Sequence, residues 1–217
     1  MIKNEHTEVF WEAAIRGMRN PMNSWAKSDS YWTYIEDAET HEKAKFEFFV
    51  GENDLDLMHR LRKAGTDHRK FMRMITVYVD VTAPLYWWKE FDTYKVGTVA
   101  KSCSTMHKIH SKEFTIDDFS TEHLMGSSLE TMKRVIWDLN WFRNLFLKSK
   151  DKDDWWQMIQ LLPTSYNQKR TVMLNYEVLA NIYKSRKNHK LDEWHDFCHW
   201  IESLPYSELI TGGEQNE

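Results

Sequence analysis

The sequence predicts a helix-rich α/β (α+β) protein folded as one domain over residues 1–217, and three observations carry that expectation. Glycine and proline are scarce, 7 and 4 residues, while aromatics make up 14% of the chain with 11 tryptophans, a balance that favours ordered helices over linkers. Two stretches, 121–148 and 171–187, repeat apolar residues at three- and four-residue spacing over many turns. One stretch alternates instead: Ile75, Val77, Val79 and Val81 are interleaved with Thr76, Tyr78 and Asp80, the pattern of a strand with one buried face.

In chain order, Phe10, Ala14 and Met18 predict an amphipathic helix over 7–18, closed by Gly17 and the Asn20-Pro21 turn. Residues 25–32 mix Ser, Asp and aromatics and read as an ordered loop or short helix. Asn53 is placed to cap a helix whose Leu57, Met58 and Leu61 face inward and whose end is marked by Gly65. After the strand, Pro84 suits the first turn of a helix running through Tyr86 to Phe91. The longest helix, 121–148, carries Leu129, Met132, Val135, Ile136, Leu139, Phe142 and Phe146 as a core stripe. Asp154 is placed to cap a short helix through Trp155, Trp156 and Ile159 up to Pro163. Residues 171–187 and 191–203 read as the last two helices, with 205–217 as a tail containing Gly212-Gly213.

Composition excludes several functions. A net charge of -4 gives no footprint for general nucleic-acid binding, although a nucleotide needs only a local cationic pocket. The first residues hold no apolar leader and no window reaches the length of a membrane span, so a cytoplasmic protein without a membrane partner is expected. Cys103 and Cys198 stand far apart without a CxxC and read as reduced thiols. There is no GxGxxG and no P-loop.

Within the 171–187 helix, Asn175, Leu179, Ile182 and Arg186 fall on one stripe, and Leu174, Val178, Asn181 and Ser185 on its neighbour. Asn175 and Arg186 are then about 16 Å apart along one face, a span suited to a ligand of nucleotide size. An amide both donates and accepts, and a guanidinium offers a rigid fork of donors. The plainer alternative makes these residues caps or surface groups at the edge of a core stripe. His195, Cys198 and His199 share a helical face and, with His189 or Asp192, could meet a transition metal, but no HExxH or paired cysteines support one and no metal is expected. Cys103, beside Ser102, Ser104 and His107, lacks an identifiable base. The Trp87-Trp88 and Trp155-Trp156 pairs are core packing or stacking platforms for a flavin or base.

Leu162-Pro163, Asn175, Asn181 and Arg186 recur at intervals that resemble, without a gap, the carboxy-terminal part of the flavin-dependent thymidylate synthases. A second likeness is the strand leading through Ala83-Pro84 into a helix, with Lys89-Glu90 where the family has Arg-Gln. The resemblance covers about residues 53–201. It implies a helix-rich fold around a small, mainly antiparallel sheet. It also implies a homotetramer with FAD between subunits, NADPH as reductant, and methylenetetrahydrofolate as donor of the one-carbon unit reduced onto dUMP. On this likeness Asn175 and Asn181 lie at the flavin, and Arg186 holds the uracil ring and favours its ionisation. His68 and Arg73 fall near the family's His-rich flavin segment. Glu90, Lys95 and Ser104 line the nucleotide pocket, with Arg186 and Ser104 in the catalytic roles.

The chain also departs from the family. Thr93-Tyr94-Lys95 replaces the Arg-His-Arg that opens the central signature, and the reactive-site serine falls on Cys103 or, with one inserted residue, on Ser104. The terminal arginine of that signature is lost, and Leu191-Asp192-Glu193-Trp194 replaces an Ala-Gln-x-Glu step. Two further readings therefore stand beside the synthase. One is a relative that keeps the scaffold as a nucleotide- or flavin-binding oligomer without the reaction. The other is a helical interaction module of a phage or mobile element.

Overall fold

The computed structural model describes residues 3–35 and 45–212. Its centre is a four-stranded antiparallel sheet in the order β1 (Lys3–Phe10), β4 (Thr76–Pro84), β6 (Asn167–Asn175) and β5 (Val99–Ser102). In β4, Val77, Val79, Val81 and Ala83 are buried and Tyr78 is exposed, as the alternation requires. The register sets Val77 opposite Leu174 and Val79 opposite Val172, so β4 and β6 supply one apolar face together. In a separate two-stranded sheet, β2 (Tyr31–Ile35) pairs antiparallel with β3 (Lys45–Phe49).

Helices α1 (Glu12–Arg19), α2 (Glu52–Lys63), α3 (Leu85–Phe91), α6 (Tyr176–Arg186), α7 (Asp192–Glu202) and α8 (Glu208–Thr211) contribute to the main core. Trp87, Trp88, Phe91, Trp194 and Phe197 form its aromatic centre, so the Trp87-Trp88 pair is buried packing. A second core holds α4 (Ser127–Ser149) against α5 (Lys152–Leu161), with Phe114, Phe119, Met132, Leu139 and Met158 buried in it.

Several sequence expectations are corrected. Residues 7–18 are not one helix: β1 runs to Phe10 and α1 begins at Glu12. Nor is 171–187, because β6 occupies the chain to Asn175 and α6 starts only at Tyr176. Both are strand-to-helix junctions with no Gly or Pro at the boundary, so the apolar spacing runs on across a change of period. Within 25–32, a 3-10 turn at Trp25–Lys27 precedes β2. Asn53 lies inside α2, and the side chain that accepts at its N-terminus is that of Asp29, from Asn53 N at 2.9 Å and Asp54 N at 3.1 Å. Likewise α5 is capped by Asp151, not Asp154, through Asp153 N at 2.9 Å. The longest helix starts at Ser127, after Gly126 with φ +53°. Of the tail expected over 205–217, residues 208–211 form α8 with Leu209 and Ile210 buried, and 213–217 lie outside the described residues.

Candidate active site

Arg186 lies in the last turn of α6, Glu90 in the last turn of α3 and Trp194 in the first turn of α7, and the three helix ends meet. Glu90 Oε2 accepts from Arg186 Nη1 and from Trp194 Nε1, each at 2.8 Å, and His189 Nε2 lies 3.4 Å from it. Arg186 Nε donates to the Tyr94 hydroxyl at 2.9 Å. The guanidinium sits over the Trp194 ring at 4.7 Å and the Tyr94 ring at 5.6 Å, within the range of cation–π attraction. Trp194 is wholly buried, whereas the Arg186 and Glu90 side chains are 18% and 36% exposed, so the cluster stands at the rim of the core and is open to a ligand.

Asn175 is the N-cap of α6. Its Oδ1 accepts from Val178 N at 3.0 Å and its Nδ2 donates toward the Gly97 carbonyl at 3.4 Å. Gly97 takes φ +76°, and a Cβ there would lie 2.7 Å from Asn175 Nδ2, so the close approach of the 93–98 loop depends on glycine. Beside it, the Thr98 hydroxyl is buried without a hydrogen-bond partner. Asn181, five residues before Arg186, is exposed on another side of α6, in a recess with Arg62, Arg69, Lys184 and Lys187. The two amides and the guanidinium therefore do not converge within one chain.

The remaining sequence candidates are dispersed. His68 and Arg73 are exposed on either side of Phe71-Met72, which are buried. Lys95 is exposed in the loop after α3. Ser104 is exposed just beyond β5, its hydroxyl accepting from His107 N at 2.8 Å and Met106 N at 3.2 Å. Cys103, also exposed, is tied to β6: its amide donates to the Lys169 carbonyl and its carbonyl accepts from Gln168 Nε2. Gln168 Oε1 accepts from Arg170 Nε at 2.9 Å, and Arg170 pairs with Asp92 at 2.8 Å, so a polar chain links Cys103 to the end of α3 two residues after Glu90. Burial, with Glu202 nearby, pushes the Cys198 thiol up to about 11, and among the described residues no group of three or more His, Cys, Asp or Glu could hold a metal.

Comparison of the sequence with known protein families and with characterised proteins yields no match. Comparison of the fold does. A flavin-dependent thymidylate synthase from Helicobacter pylori, crystallised with FAD and dUMP, superposes with TM-score 0.65 at 16% identity, covering 97% of each chain. A second structure of that enzyme with the same ligands gives 0.63 at 17% identity over 97% of this chain and 98% of the other. The chain has the fold of the flavin-dependent thymidylate synthases. A UMP/dUMP methylase from Streptomyces cacaoi bound with 5-Br dUMP also shares it, with TM-score 0.60 at 12% identity over 98% of this chain and 94% of the other.

The family that the sequence resembles is thus the family whose fold it adopts. On the flavin-dependent thymidylate synthase fold, Glu90 and Arg186, drawn from the two separate likenesses, are in contact. Sequence reasoning did not join them to Tyr94, His189 and Trp194, nor did it find Arg62 and Arg69. The cation–π spacing of Arg186 and Trp194 crosses a helix boundary, where periodicity carries no signal.

Proposed function

We propose that this protein binds a pyrimidine nucleotide of the dUMP class and methylates it reductively, with FAD as cofactor and NADPH and methylenetetrahydrofolate as co-substrates. The contact of Glu90 with Arg186, 96 residues apart in sequence, is the observation that carries this. Glu90 fixes the guanidinium in place, and the N–H donors that Arg186 leaves free complement the C=O and ring nitrogen of a uracil edge that has given up its proton. Arg186 uses Nε and Nη1 internally and keeps further N–H donors for such an edge. Its positive charge favours the anionic form of a uracil ring by charge-assisted hydrogen bonding. The exposed Lys95 and Ser104 are proposed to serve the nucleotide; Ser104 accepts two backbone N–H groups and still has its own proton to donate.

Bound FAD would supply the hydride chemistry, which the protein's own side chains do not provide. The residues present fit a flavin on one observation: the buried Thr98 hydroxyl lacks a partner inside the chain, beside the Asn175 amide and the close-packed Gly97 turn. Asn175, Asn181, His68 and Arg73 are assigned to the flavin as the resemblance implies. Because they do not converge within one chain, FAD is proposed to lie between subunits of a cytoplasmic homotetramer, with residues of different copies completing each site.

A second reading has its own support. Tyr94, standing where the family has the histidine of Arg-His-Arg, is hydrogen-bonded to Arg186, and Thr93 replaces an arginine. Such a protein binds flavin and nucleotide without turnover. The absorption spectrum of the purified protein with FAD, followed by tritium release from labelled dUMP with FAD, NADPH and the folate, separates the cases. A flavin spectrum with release supports the synthase, and binding without release supports the inactive relative. A colourless protein that takes up neither FAD nor dUMP removes both.

A further inference from the structure

Away from the Glu90–Arg186 cluster, the described surface carries a concentrated positive feature with a definite shape. Arg62 on α2, Arg69 in the following 3-10 turn, Lys184 on α6 and Lys187 at its C-cap line a recess of about 210 Å³, together with Asn181 and Thr211. No acidic residue is among the described residues that line it. Glu177, buried behind Arg69, pairs with its Nε at 3.0 Å. Among the described residues, four cations line the recess and one carboxylate pairs with one of them.

The arginines are positioned rather than loosely exposed. Arg62 Nε donates to the Leu209 carbonyl at 2.6 Å, and a Cβ added at Gly212 would come within 3.3 Å of its Nη2, so α8 and the turn after it hold the guanidinium in place. Burial and the nearby charge of Arg69 both push the Arg62 pKa down, as expected where two like charges are held close together in a partly desolvated setting. Fixed N–H donors in a concave, partly desolvated setting recognise a compact, multiply charged anion better than an extended one. The volume is below that of a site for a drug-sized molecule and suits the charged end of a ligand. With a net charge of -4 on the whole chain, the positive patch is local and gives no extended track for a nucleic acid.

We propose that this recess is a phosphate-recognition site that takes the diphosphate or monophosphate end of a nucleotide ligand. It involves Asn181 but none of the Glu90–Arg186 cluster, so it does not depend on which reaction the protein performs.

The test is titration of the full chain with inorganic pyrophosphate, followed by calorimetry at low and high salt. Saturable binding that weakens with salt is expected, and the Lys184→Ala/Lys187→Ala variant is expected to lose about tenfold or more in affinity, since a tenfold change matches a single good contact. Both lysines are exposed, and a Lys148→Ala variant at the end of α4 serves as the control with unchanged binding; circular dichroism checks that each is folded. Competition identifies the source: displacement of pyrophosphate by FAD marks a dinucleotide diphosphate, and displacement by dUMP marks the substrate phosphate. Either supports the site. Pyrophosphate binding that is absent, or that is equal in the double variant and the control, overturns it. If FAD binds nowhere while pyrophosphate still binds in the recess, the flavin assignment fails and the recess stands.

Discussion

At the scale of single residues, Glu90 decides how the candidate site behaves. Its Oε2 accepts from Arg186 and from the buried Trp194 indole, so removing it leaves a charged donor and a buried N–H without an acceptor. Glu90→Ala is expected to cost about 1–3 kcal/mol in urea unfolding, the penalty for unsatisfied groups of this kind. Glu90→Gln keeps a carbonyl acceptor and should lose under about 1 kcal/mol. It also removes a negative charge 2.8 Å from Arg186, and dUMP, measured by calorimetry, should then bind several-fold more tightly than to the native protein. An unchanged or weaker affinity would place the nucleotide away from this cluster. Glu90 and Arg186 were singled out in the sequence through the family resemblance, in which each follows a matching proline, Pro84 and Pro163. Trp194 and Arg69 were not, because contacts across 104 and 108 residues leave no trace in local spacing.

Among elements, the junction around Asp54 is held by a buried carboxylate that ties α2 to α1 and to the entry of β2. It accepts from Arg19 Nε at 2.5 Å, from the Ser28 and Ser30 hydroxyls at 2.6 and 2.7 Å, and from the amides of Asp29 and Ser30 at 3.2 Å. Burial alone would raise the Asp54 pKa, but the hydrogen bonds from Ser28, Ser30 and Arg19 outweigh it and hold the carboxyl below its usual value. A folded-state pKa below the unfolded one stabilises above the unfolded value of about 3.9, and that contribution is lost as pH falls below about 4 toward the folded value. Asp54→Ala is therefore expected to cost about 3–5 kcal/mol at neutral pH, since it leaves Arg19 buried and unpaired. The gap from the native protein in chemical denaturation should narrow below about pH 4, and a constant gap would assign the loss to packing instead. None of this junction could be read from Asn53, the residue the sequence singled out as cap, because Asp29 reaches the helix end from 24 residues away. By contrast the alternating part of β4 was legible, since Val77, Val79 and Val81 fall on one buried face; its end was not, because Pro84, expected in the first turn of α3, is still extended and pairs with Asn167. The strand before α6 was hidden because Val172, Leu174, Val178, Leu179 and Ile182 are all buried, and strand and helix merge into one apolar run.

For the whole molecule, the consequence of the proposed function lies in how ligand and assembly are linked. The sheet and its aromatic centre form one core, and α4 with α5 forms another, yet the candidate flavin groups are spread over α6, the 93–98 loop and the turn before β4. A cofactor that binds only the folded, assembled protein stabilises it by mass action, by about 2.7 kcal/mol at a hundredfold excess over the dissociation constant. For a chain of this size, that corresponds to a rise in the melting temperature of about 5–10 °C. If the site is completed by other copies, diluting the protein until light scattering reports monomer should abolish the increment from FAD, while the increment from pyrophosphate at the Arg62–Lys187 recess, which one chain lines by itself, should persist. A FAD increment that survives in the monomer would put the whole flavin site within a single chain, and with it the need for the carboxamides of Asn175 and Asn181 to serve one cofactor from two sides of the same helix.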